Sequence, residues 1–321
     1  MTLEKRRVVV TGAGGFIGRW SISALLARGY DVTALLSPAG VQRSVPVELS
    51  GANIVALDLF DADAVDSAIK QLRPTHLLHF AWNVQPGKYW TSNDNYLWVQ
   101  NSLNLVRSFV EAGGSRVTVA GTCAEYDWSR ADRCREYESS LATDGDVIVS
   151  PYATCKVALQ KMLATYAKQQ CVSSSWGRIF LQYGPYEHPD RLVSSVIINL
   201  LASRQVQCTH GRQIRNFLHV SDVAEAMVAL MDSDVEGPVN IGSDESTSIA
   251  ELVELIAKCL GAFDLVKLGA RPAPPDEPPV LVPDIRRLYE EVGWRPRLAL
   301  EEGLSQTIAW WRYAQSQSAP L

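Results

Sequence analysis

The sequence has few of the features that mark membrane, secreted or nucleic-acid-binding proteins. No apolar run approaches the roughly 20 residues that cross a bilayer, and a charged Met1–Arg7 segment leads directly into the first predicted strand, so we expect no membrane span and no signal peptide. Its six cysteines form no Cys-x-x-Cys pair, which favours reduced thiols over a zinc site or disulfide framework. The net charge is −5 and no basic tract occurs, which argues against nucleic acid as a partner. These absences predict a cytoplasmic protein.

The chain does have the size and apolar content of a folded enzyme. Its 321 residues, 47% of them hydrophobic, suffice for one large domain with a smaller lobe. Trp82, Trp90 and Trp98 recur at intervals of eight around one predicted loop. We therefore expect some of these rings to line a site as well as fill a core.

A glycine turn near the N-terminus is the strongest local signal. Val8 to Val10 are consecutive β-branched residues, typical of a parallel strand buried on both faces, and Gly12, Gly15 and Gly18 follow at intervals of three. Such a turn lets backbone N–H groups approach a pyrophosphate at the positive end of the next helix. We predict a dinucleotide-binding turn; on spacing alone, the alternative is an ordinary strand-to-helix turn.

The end of the second predicted strand, Asp31–Leu36, bears on the choice of dinucleotide. In this type of fold it lies over the adenosine ribose, where an acidic residue would accept the ribose hydroxyls of NAD. Here Ser37 follows Leu36, and Arg43 comes a few residues later. The missing carboxylate removes repulsion against a 2′-phosphate, and Ser37 and Arg43 are candidate donors. We favour NADP(H), with NAD(H) as the alternative if Arg43 is simply a solvated loop residue.

Further along the chain, three residues have the side-chain chemistry of an acid/base site. Thr122 follows the fifth predicted strand, and Tyr152 and Lys156 stand four apart on a predicted helix and so share a face. An ammonium about 4 to 5 Å from a phenol favours phenolate by up to about 4 kcal/mol at an effective dielectric near 20. That would move a tyrosine pKa from about 10 toward neutrality, as a general acid/base requires. We predict Thr122, Tyr152 and Lys156 as catalytic residues.

Several longer motifs connect these signals to one family. They are Thr-Gly-x-x-Gly-x-x-Gly at the N-terminus, Arg178-Ile-Phe-Leu-Gln-Tyr-Gly-Pro185, Gly211-Arg-Gln-Ile-Arg-Asn-Phe-Leu-His-Val-Ser-Asp-Val223, Val239-Asn-Ile-Gly242 and Gly293-Trp-Arg-Pro296. Together they cover nearly the whole chain. The sequence resembles the extended short-chain dehydrogenase/reductases of the NAD(P)-dependent epimerase/dehydratase type that act on nucleotide sugars.

The resemblance implies an α/β fold and its division. We expect a Rossmann-type doubly wound parallel sheet in residues 1–177, with further main-sheet elements from about 178–185 and 219–262. A smaller mixed lobe, mainly residues 186–218 and 264–321, would bind the substrate. Family members commonly dimerise through the helices that follow the fourth and fifth strands, so a homodimer is expected.

The resemblance also assigns further site residues. Its cofactor contacts fall on Gly12, Gly15, Phe16, Ile17, Gly18, Ser37, Arg43, Asp58, Leu59, Ala81, Tyr152 and Lys156. Its substrate contacts fall on Thr122, Cys123, Ala124, Glu125, Arg191, Arg215 and Arg271, and no metal is implied. Trp98 stands where relatives have an Asn that orders a water near the catalytic Lys, and Leu181 replaces an Asn that contacts substrate phosphates.

The residues after Thr122 separate the reactions that share this scaffold. Dehydratases of the family follow this Thr with Asp-Glu, which protonates the leaving hydroxyl and removes a proton, whereas Cys123 and Ala124 can do neither. Thr-Cys-Ala-Glu-Tyr instead resembles the Ser-Ser-Glu-Glu-Tyr of reductases acting on a GDP-4-keto-6-deoxy sugar. We therefore predict NADPH-dependent reduction of the 4-keto group of a dTDP-, CDP- or GDP-linked deoxysugar. The alternatives are a nucleotide-sugar 4-epimerase with tightly bound NAD and a non-catalytic cofactor sensor.

Overall fold

The computed structural model describes residues 6–130, 132–144, 150–275 and 277–318. The strands are β1 Arg7–Thr11, β2 Asp31–Leu36, β3 Asn53–Ala56, β4 His76–His79, β5 Arg116–Thr122, β6 Arg133–Cys134, β7 Ser173–Ile179, β8 Leu181–Tyr183, β9 Val206–Gln207, β10 Ile214–Arg215, β11 Phe217–His219, β12 Gly237–Ile241, β13 Thr247–Ser248, β14 Val266–Lys267 and β15 Val280–Pro283. The helices are α1 Gly18–Ala27, α2 Pro38–Arg43, α3 Ala62–Leu72, α4 Asp94–Glu111, α5 Pro151–Gln169, α6 Leu192–Leu201, α7 Val220–Asp232, α8 Ile249–Leu260 and α9 Leu300–Ser318. The expectation about a leader segment concerns residues 1–5, which lie outside this description.

A parallel sheet forms the centre of the larger layer. Within the described residues it has seven strands in the order β12-β7-β5-β4-β1-β2-β3, and Val9 lies opposite Thr33 of β2 and Leu77 of β4. The central strands carry continuous apolar residues because helices cover both faces. The predicted doubly wound parallel sheet is confirmed.

Two apolar cores lie on opposite faces of this sheet. On one face, α1 packs against α7 over residues such as Ile22, Leu25 and Met227. On the other, α3, α4 and α5 pack side by side over residues such as Leu105 and Leu159. The carboxyl ends of β1 and β4 therefore open between two rigid helical layers, at the point where the strand order reverses.

Side chains define where these helices begin. Asp61 accepts a hydrogen bond from Ala64 N and so caps α3, and Ser150 accepts one from Ala153 N to cap α5. Pro151 occupies the first position of α5, where its missing N–H costs nothing. These caps fix the first turn of α5, which carries Tyr152.

β4 spans four residues, His76–His79. Just after it, Phe80 N donates to Thr11 O at 3.2 Å and Ala81 N to Thr11 Oγ1 at 3.3 Å, which keeps the chain beside the glycine turn. β5 extends to Thr122, which lies in register with Ile179 of β7. Thr122 is therefore held by the sheet itself.

A third core belongs to the smaller part of the molecule. α6, α8 and α9 surround buried residues such as Val196, Leu252 and Leu304. A separate sheet in the order β13-β10-β15-β6 lies beside them within the described chain. The predicted domain boundaries stay a prediction. Residues 219–262 were expected to contribute to the main sheet, but α8 within them packs against α6 and α9 of the smaller part. No helix among the described residues is both long and apolar enough to cross a membrane.

Candidate active site

The predicted glycine turn forms a tight connection between β1 and α1. Gly12 has φ +65°, and a Cβ there would lie 2.8 Å from Ala81 N. A Cβ on Gly18 would overlap the carbonyl oxygen of Gly12, so neither position admits a side chain. Gly15 N donates to that same carbonyl at 2.9 Å and closes the turn.

The N-terminus of α1 fits an anionic group. Its cap residue, Ile17, provides no side-chain hydrogen bond, and the first helical turn contains no acidic residue. No side chain therefore caps or neutralises the positive end of this helix, although Arg19 N and Trp20 N donate to Gly15 O and Ile17 O. The glycine turn and the uncapped N-terminus of α1 together fit the pyrophosphate of a dinucleotide.

The adenosine end of the predicted cofactor site lies at the ends of β2 and β3. Leu36 is buried under Gly14, while Ser37 is exposed and its Oγ accepts from Gly40 N as the cap of α2. Because that bond uses an oxygen lone pair, the hydroxyl hydrogen remains able to donate. Arg43 is exposed at the end of the same helix, and the exposed Asp58 follows β3, next to the half-buried Leu59.

A cavity of about 1010 Å³ adjoins the glycine turn and brings most of the predicted reacting groups together. Thr122 enters it from the end of β5, and Tyr152 and Lys156 from the first turns of α5. Among the predicted residues, the cavity is lined by Phe16, Ile17, Thr122, Cys123, Ala124, Tyr152, Lys156 and Arg191. Gly12, Gly15, Gly18, Ser37, Arg43, Asp58, Leu59, Ala81, Glu125, Arg215 and Arg271 do not line it.

Electrostatics at the acid/base pair differ from the sequence-based expectation. Burial raises the pKa of Tyr152 above its ordinary value, with hydrogen bonding to Thr122 opposing the rise. Burial also lowers the pKa of Lys156 to about 7, and the Glu125 carboxylate opposes that change. In this conformation desolvation therefore outweighs the expected effect of the ammonium on the phenol, because Lys156 Nζ is directed to Ala120 O at 2.9 Å and to the Trp82 ring.

Aromatic rings enclose Tyr152. The ring centroids of Tyr89, Trp90 and Trp82 lie 4.8, 5.5 and 6.4 Å from that of Tyr152, all edge-on. Trp128 packs against Trp90 and donates its Nε1 hydrogen to Cys123 O. Of the three tryptophans expected near a site, Trp82 and Trp90 border the cavity and Trp98 does not, while Trp128 borders it as well.

Glu125, predicted to contact substrate, lies behind the cavity wall. Its carboxylate is fully buried and accepts from Arg178 Nε, Trp176 Nε1 and Thr122 N, each at 2.8 Å. Burial by itself lowers the pKa of Arg178, but Glu125 and Tyr126 together more than offset this and hold it above the usual value. Glu125 thus fixes the backbone of Thr122 and does not face the cavity.

The three predicted arginines are not brought together. Arg191 lines the cavity, with its guanidinium 5.3 Å from the Tyr89 ring. Arg215 is buried and pairs with Glu277 at 3.0 Å, while Arg271 is exposed. Of the three, only Arg191 lines the cavity, while Arg215 lies close enough to Cys123 to oppose the rise in the pKa of that thiol.

The sequence analysis singled out Trp82 but not its contact with Lys156, and it missed Glu187. Trp82 lies over Lys156, and Asn95 accepts the Trp82 Nε1 hydrogen at 2.8 Å. Glu187 is buried in the cavity wall, where its carboxylate accepts from Ser194 N and Oγ, and burial raises its pKa to about 7. No local sequence pattern marked Glu187.

Comparison with known proteins agrees with this geometry. The chain matches the NAD dependent epimerase/dehydratase family over residues 8–242. It is 29% identical over 319 residues to UDP-glucuronic acid decarboxylase 1 of Xenopus tropicalis, covering 96% of this chain and 73% of that protein. It is 28% identical to dTDP-4-dehydro-6-deoxy-D-allose reductase of a Streptomyces species, covering 96% of each.

A solved structure gives the same assignment. UDP-glucose 4-epimerase of Thermus thermophilus, in complex with NAD, superposes with a TM-score of 0.80 at 27% identity, covering 96% of this chain and 99% of that one. The turn and most of the residues that line the cavity fall within the matched residues, while Trp310 and Trp311 line the cavity from the C-terminal helix. This protein belongs to the NAD dependent epimerase/dehydratase family, a family of NAD(P)-dependent enzymes.

Proposed function

We propose that the protein reduces the 4-keto group of a nucleotide-linked deoxysugar with NADPH. The observation that carries the proposal is the composition of the cavity wall beside Thr122 and Tyr152. Cys123 and Ala124 occupy it, and burial raises the pKa of the Cys123 thiol to about 12. Glu187 is the single carboxylate among the described residues that line the cavity. A dehydration needs an acid and a base beside the sugar, and this wall provides neither next to Thr122.

The state of Tyr152 favours reduction. A phenol with a raised pKa keeps its proton at neutral pH, and a carbonyl reduction needs a proton donor at the start. The first half of an epimerase cycle removes a proton from a hydroxyl and needs the phenolate instead. The protonated Tyr152 can therefore act as the donor that reduction needs.

The residues have distinct roles in this reaction. The dinucleotide, when bound, supplies the hydride. Tyr152 protonates the oxygen that develops negative charge at C4, and Thr122 hydrogen-bonds the same oxygen. Lys156 binds the nicotinamide ribose and stabilises the phenolate that Tyr152 leaves. Gly12, Gly15, Phe16, Ile17 and Gly18 hold the pyrophosphate, and Asp58, Leu59 and Ala81 contact the rest of the cofactor.

The preference for NADPH rests on the end of β2. Leu36 offers no carboxylate to the ribose, and Ser37 and Arg43 are exposed where a 2′-phosphate needs donors. Relatives with bound NAD keep NAD(H) as the alternative. Calorimetric titration with NADPH and NADH measures this preference directly.

Arg191, Cys123 and Ala124 line the sugar end of the site, and the substrate nucleotide is held further out. Arg215 and Arg271 serve the substrate pyrophosphate once it is bound, with Arg215 exchanging Glu277 for phosphate oxygens. The names of relatives support a nucleotide sugar as the substrate class.

The test of the proposed function measures cofactor consumption with defined nucleotide sugars. Purified protein is given NADPH and the 4-keto-6-deoxy sugars that a 4,6-dehydratase makes from dTDP-, CDP- and GDP-hexoses. We expect one NADPH oxidised per sugar reduced, with NADP⁺ released. UDP-glucose and UDP-glucuronic acid serve as matched substrates for the other reactions of the family.

Three results would contradict the proposal. Interconversion of 4-hydroxy epimers without net NADPH loss would indicate an epimerase with retained NAD. Release of CO₂ from UDP-glucuronic acid would indicate a decarboxylase, as in the Xenopus relative. Cofactor binding without turnover of any of these sugars would indicate a sensor.

We also propose that the protein forms a homodimer through α4 and α5. These helices pack together and leave Tyr96, Leu97 and Met162 exposed on the outside. Apolar side chains so placed are typical of a helical interface.

A further inference from the structure

Lys156 makes a contact that the proposed reaction does not use. Its Nζ atom lies 3.8 Å from the centroid of the Trp82 ring, and it donates to Ala120 O at 2.9 Å. The side chain is only 4% exposed, so the ammonium has exchanged water for these two partners. An aromatic face stabilises a desolvated cation through the negative charge of its π-system.

The Trp82 ring is itself held in place. Its Nε1 hydrogen goes to Asn95 Oδ1 at 2.8 Å, and Asn95, which is buried, donates its amide hydrogens to Tyr89 O and Ser92 O. On another side Trp98 stacks on Trp82 with 6.0 Å between ring centroids and 25° between planes. Turning the indole away from Lys156 would break the hydrogen bond and the stacking together.

We propose that Trp82 is a positioning residue for the acid/base pair, and that its ring holds the Lys156 ammonium in place one helical turn from Tyr152. The inference rests on the proposed function, since it assigns Lys156 a role in that reaction. The Trp82 and Tyr152 rings also meet edge-on, so the indole touches both members of the pair.

The charges around Lys156 set the sign of the effect. Burial lowers the pKa of Lys156 to about 7, and Glu125 on the neighbouring element opposes this. His79 faces it from β4, but burial, with a smaller effect from Lys156, lowers the pKa of His79 to about 3, so His79 is neutral at working pH. Tyr152, on the same helix, is protonated. The Trp82 face favours the charged ammonium, and its loss should lower the pKa of Lys156 further.

The experiment compares Trp82→Leu, which removes the π face, with Trp82→Phe, which keeps one. We expect Trp82→Leu to lower kcat about tenfold with little change in KM for the sugar. NADPH affinity, measured by calorimetry across pH, should fall as Lys156 loses its proton, and we call this fall the alkaline limb. In Trp82→Leu the alkaline limb should move about one pH unit lower. Trp82→Phe should recover most of both effects.

Trp90→Leu is the matched control. Trp90 also lies edge-on to Tyr152, but within the described residues Lys156 is placed over the Trp82 and Trp176 rings and not over Trp90. In Trp90→Leu, the alkaline limb of NADPH binding should stay at the pH found for wild type. Equal losses in Trp82→Leu and Trp82→Phe with an unmoved limb would overturn the inference, because the indole would then only fill space.

A ligand-free measurement separates this inference from the proposed function. Trace acetylation of Lys156 by acetic anhydride, followed by mass spectrometry across pH, reads the ionisation of the amine without substrate or dinucleotide. We expect the midpoint to fall in Trp82→Leu and to return toward wild type in Trp82→Phe. Unchanged midpoints would overturn the inference even if the enzyme proves to be a reductase, and failure of NADPH turnover with shifted midpoints would count against the proposed function alone.

Discussion

Tyr152 is the residue on which the proposed chemistry depends most directly. Its hydroxyl shares the cavity with Thr122 and Lys156, and its ring is fixed edge-on by Tyr89, Trp90 and Trp82. Packing against these rings therefore fixes the position of the Tyr152 ring, while its hydroxyl is left for the reaction. Removing the oxygen alone should therefore spare the fold.

Tyr152→Phe should lower turnover by roughly 100-fold or more, because a positioned acid contributes about that much. NADPH affinity and the melting temperature should stay close to wild type. Steady-state kinetics, calorimetry and thermal unfolding check the three parts. Turnover within a few-fold of wild type would remove Tyr152 from the mechanism.

Glu187 connects pH to stability. Burial raises its pKa to about 7, so between its unfolded value near 4.5 and pH 7 the folded state binds more protons than the unfolded state. The contribution of this carboxyl to stability is therefore complete at low pH and is lost as the pH rises through that window. Ionisation above pH 7 should cost roughly 3 kcal/mol relative to pH 4.

Glu187→Gln tests this effect, since the amide oxygen can still accept from Ser194. We expect the free energy of unfolding of wild type, relative to the variant, to fall between pH 5 and pH 7.5. Denaturant unfolding at both values gives the difference, in which the buried histidines common to both proteins cancel. A difference that does not change with pH would mean that Glu187 ionises normally.

At the scale of elements, the β1-turn-α1 unit leaves no space for a side chain at Gly12 or Gly18. A Cβ at Gly18 would overlap the carbonyl oxygen of Gly12, which is backbone and cannot rotate away. Gly18→Ala should therefore open the turn and weaken NADPH binding by about tenfold or more, which calorimetry measures. Ser23→Ala, an exposed change on the same helix, should bind as wild type does. Unchanged affinity in Gly18→Ala would mean that the pyrophosphate is held elsewhere.

The elements were predictable where the controlling interactions are local. Asp61 and Ser150 cap helices a few residues away, and the valines of β1 pair with neighbouring strands, so residue types alone located these elements. The contacts in the cavity wall were harder to predict from the sequence. Glu125 binds Arg178, 53 residues later, and Trp82 contacts Lys156. In neither case does the local sequence around one residue indicate the other. The balance between burial and charge at Tyr152 likewise depends on rings from distant segments.

At the scale of the whole molecule, the α4–α5 face makes an assembly testable. Sedimentation of the wild-type chain, 35.4 kDa, should give about twice that mass. Leu97→Glu should produce monomers, because it places a charge in the apolar face. Phe263→Glu, a change at a similarly exposed apolar residue on the smaller lobe, should leave the mass unchanged. A monomeric wild type, or equal masses in both variants, would exclude this interface.

The stacked indoles of Trp82 and Trp98 also give the protein an optical property. Two rings 6.0 Å apart and inclined by 25° couple their ultraviolet transitions, so this pair should contribute a distinct signal to near-ultraviolet circular dichroism. Tryptophan emission overlaps the absorption of reduced nicotinamide, and Trp82 borders the cavity beside Lys156. Arrival of NADPH should therefore quench the native fluorescence by energy transfer, and the unlabelled protein would report its own cofactor occupancy.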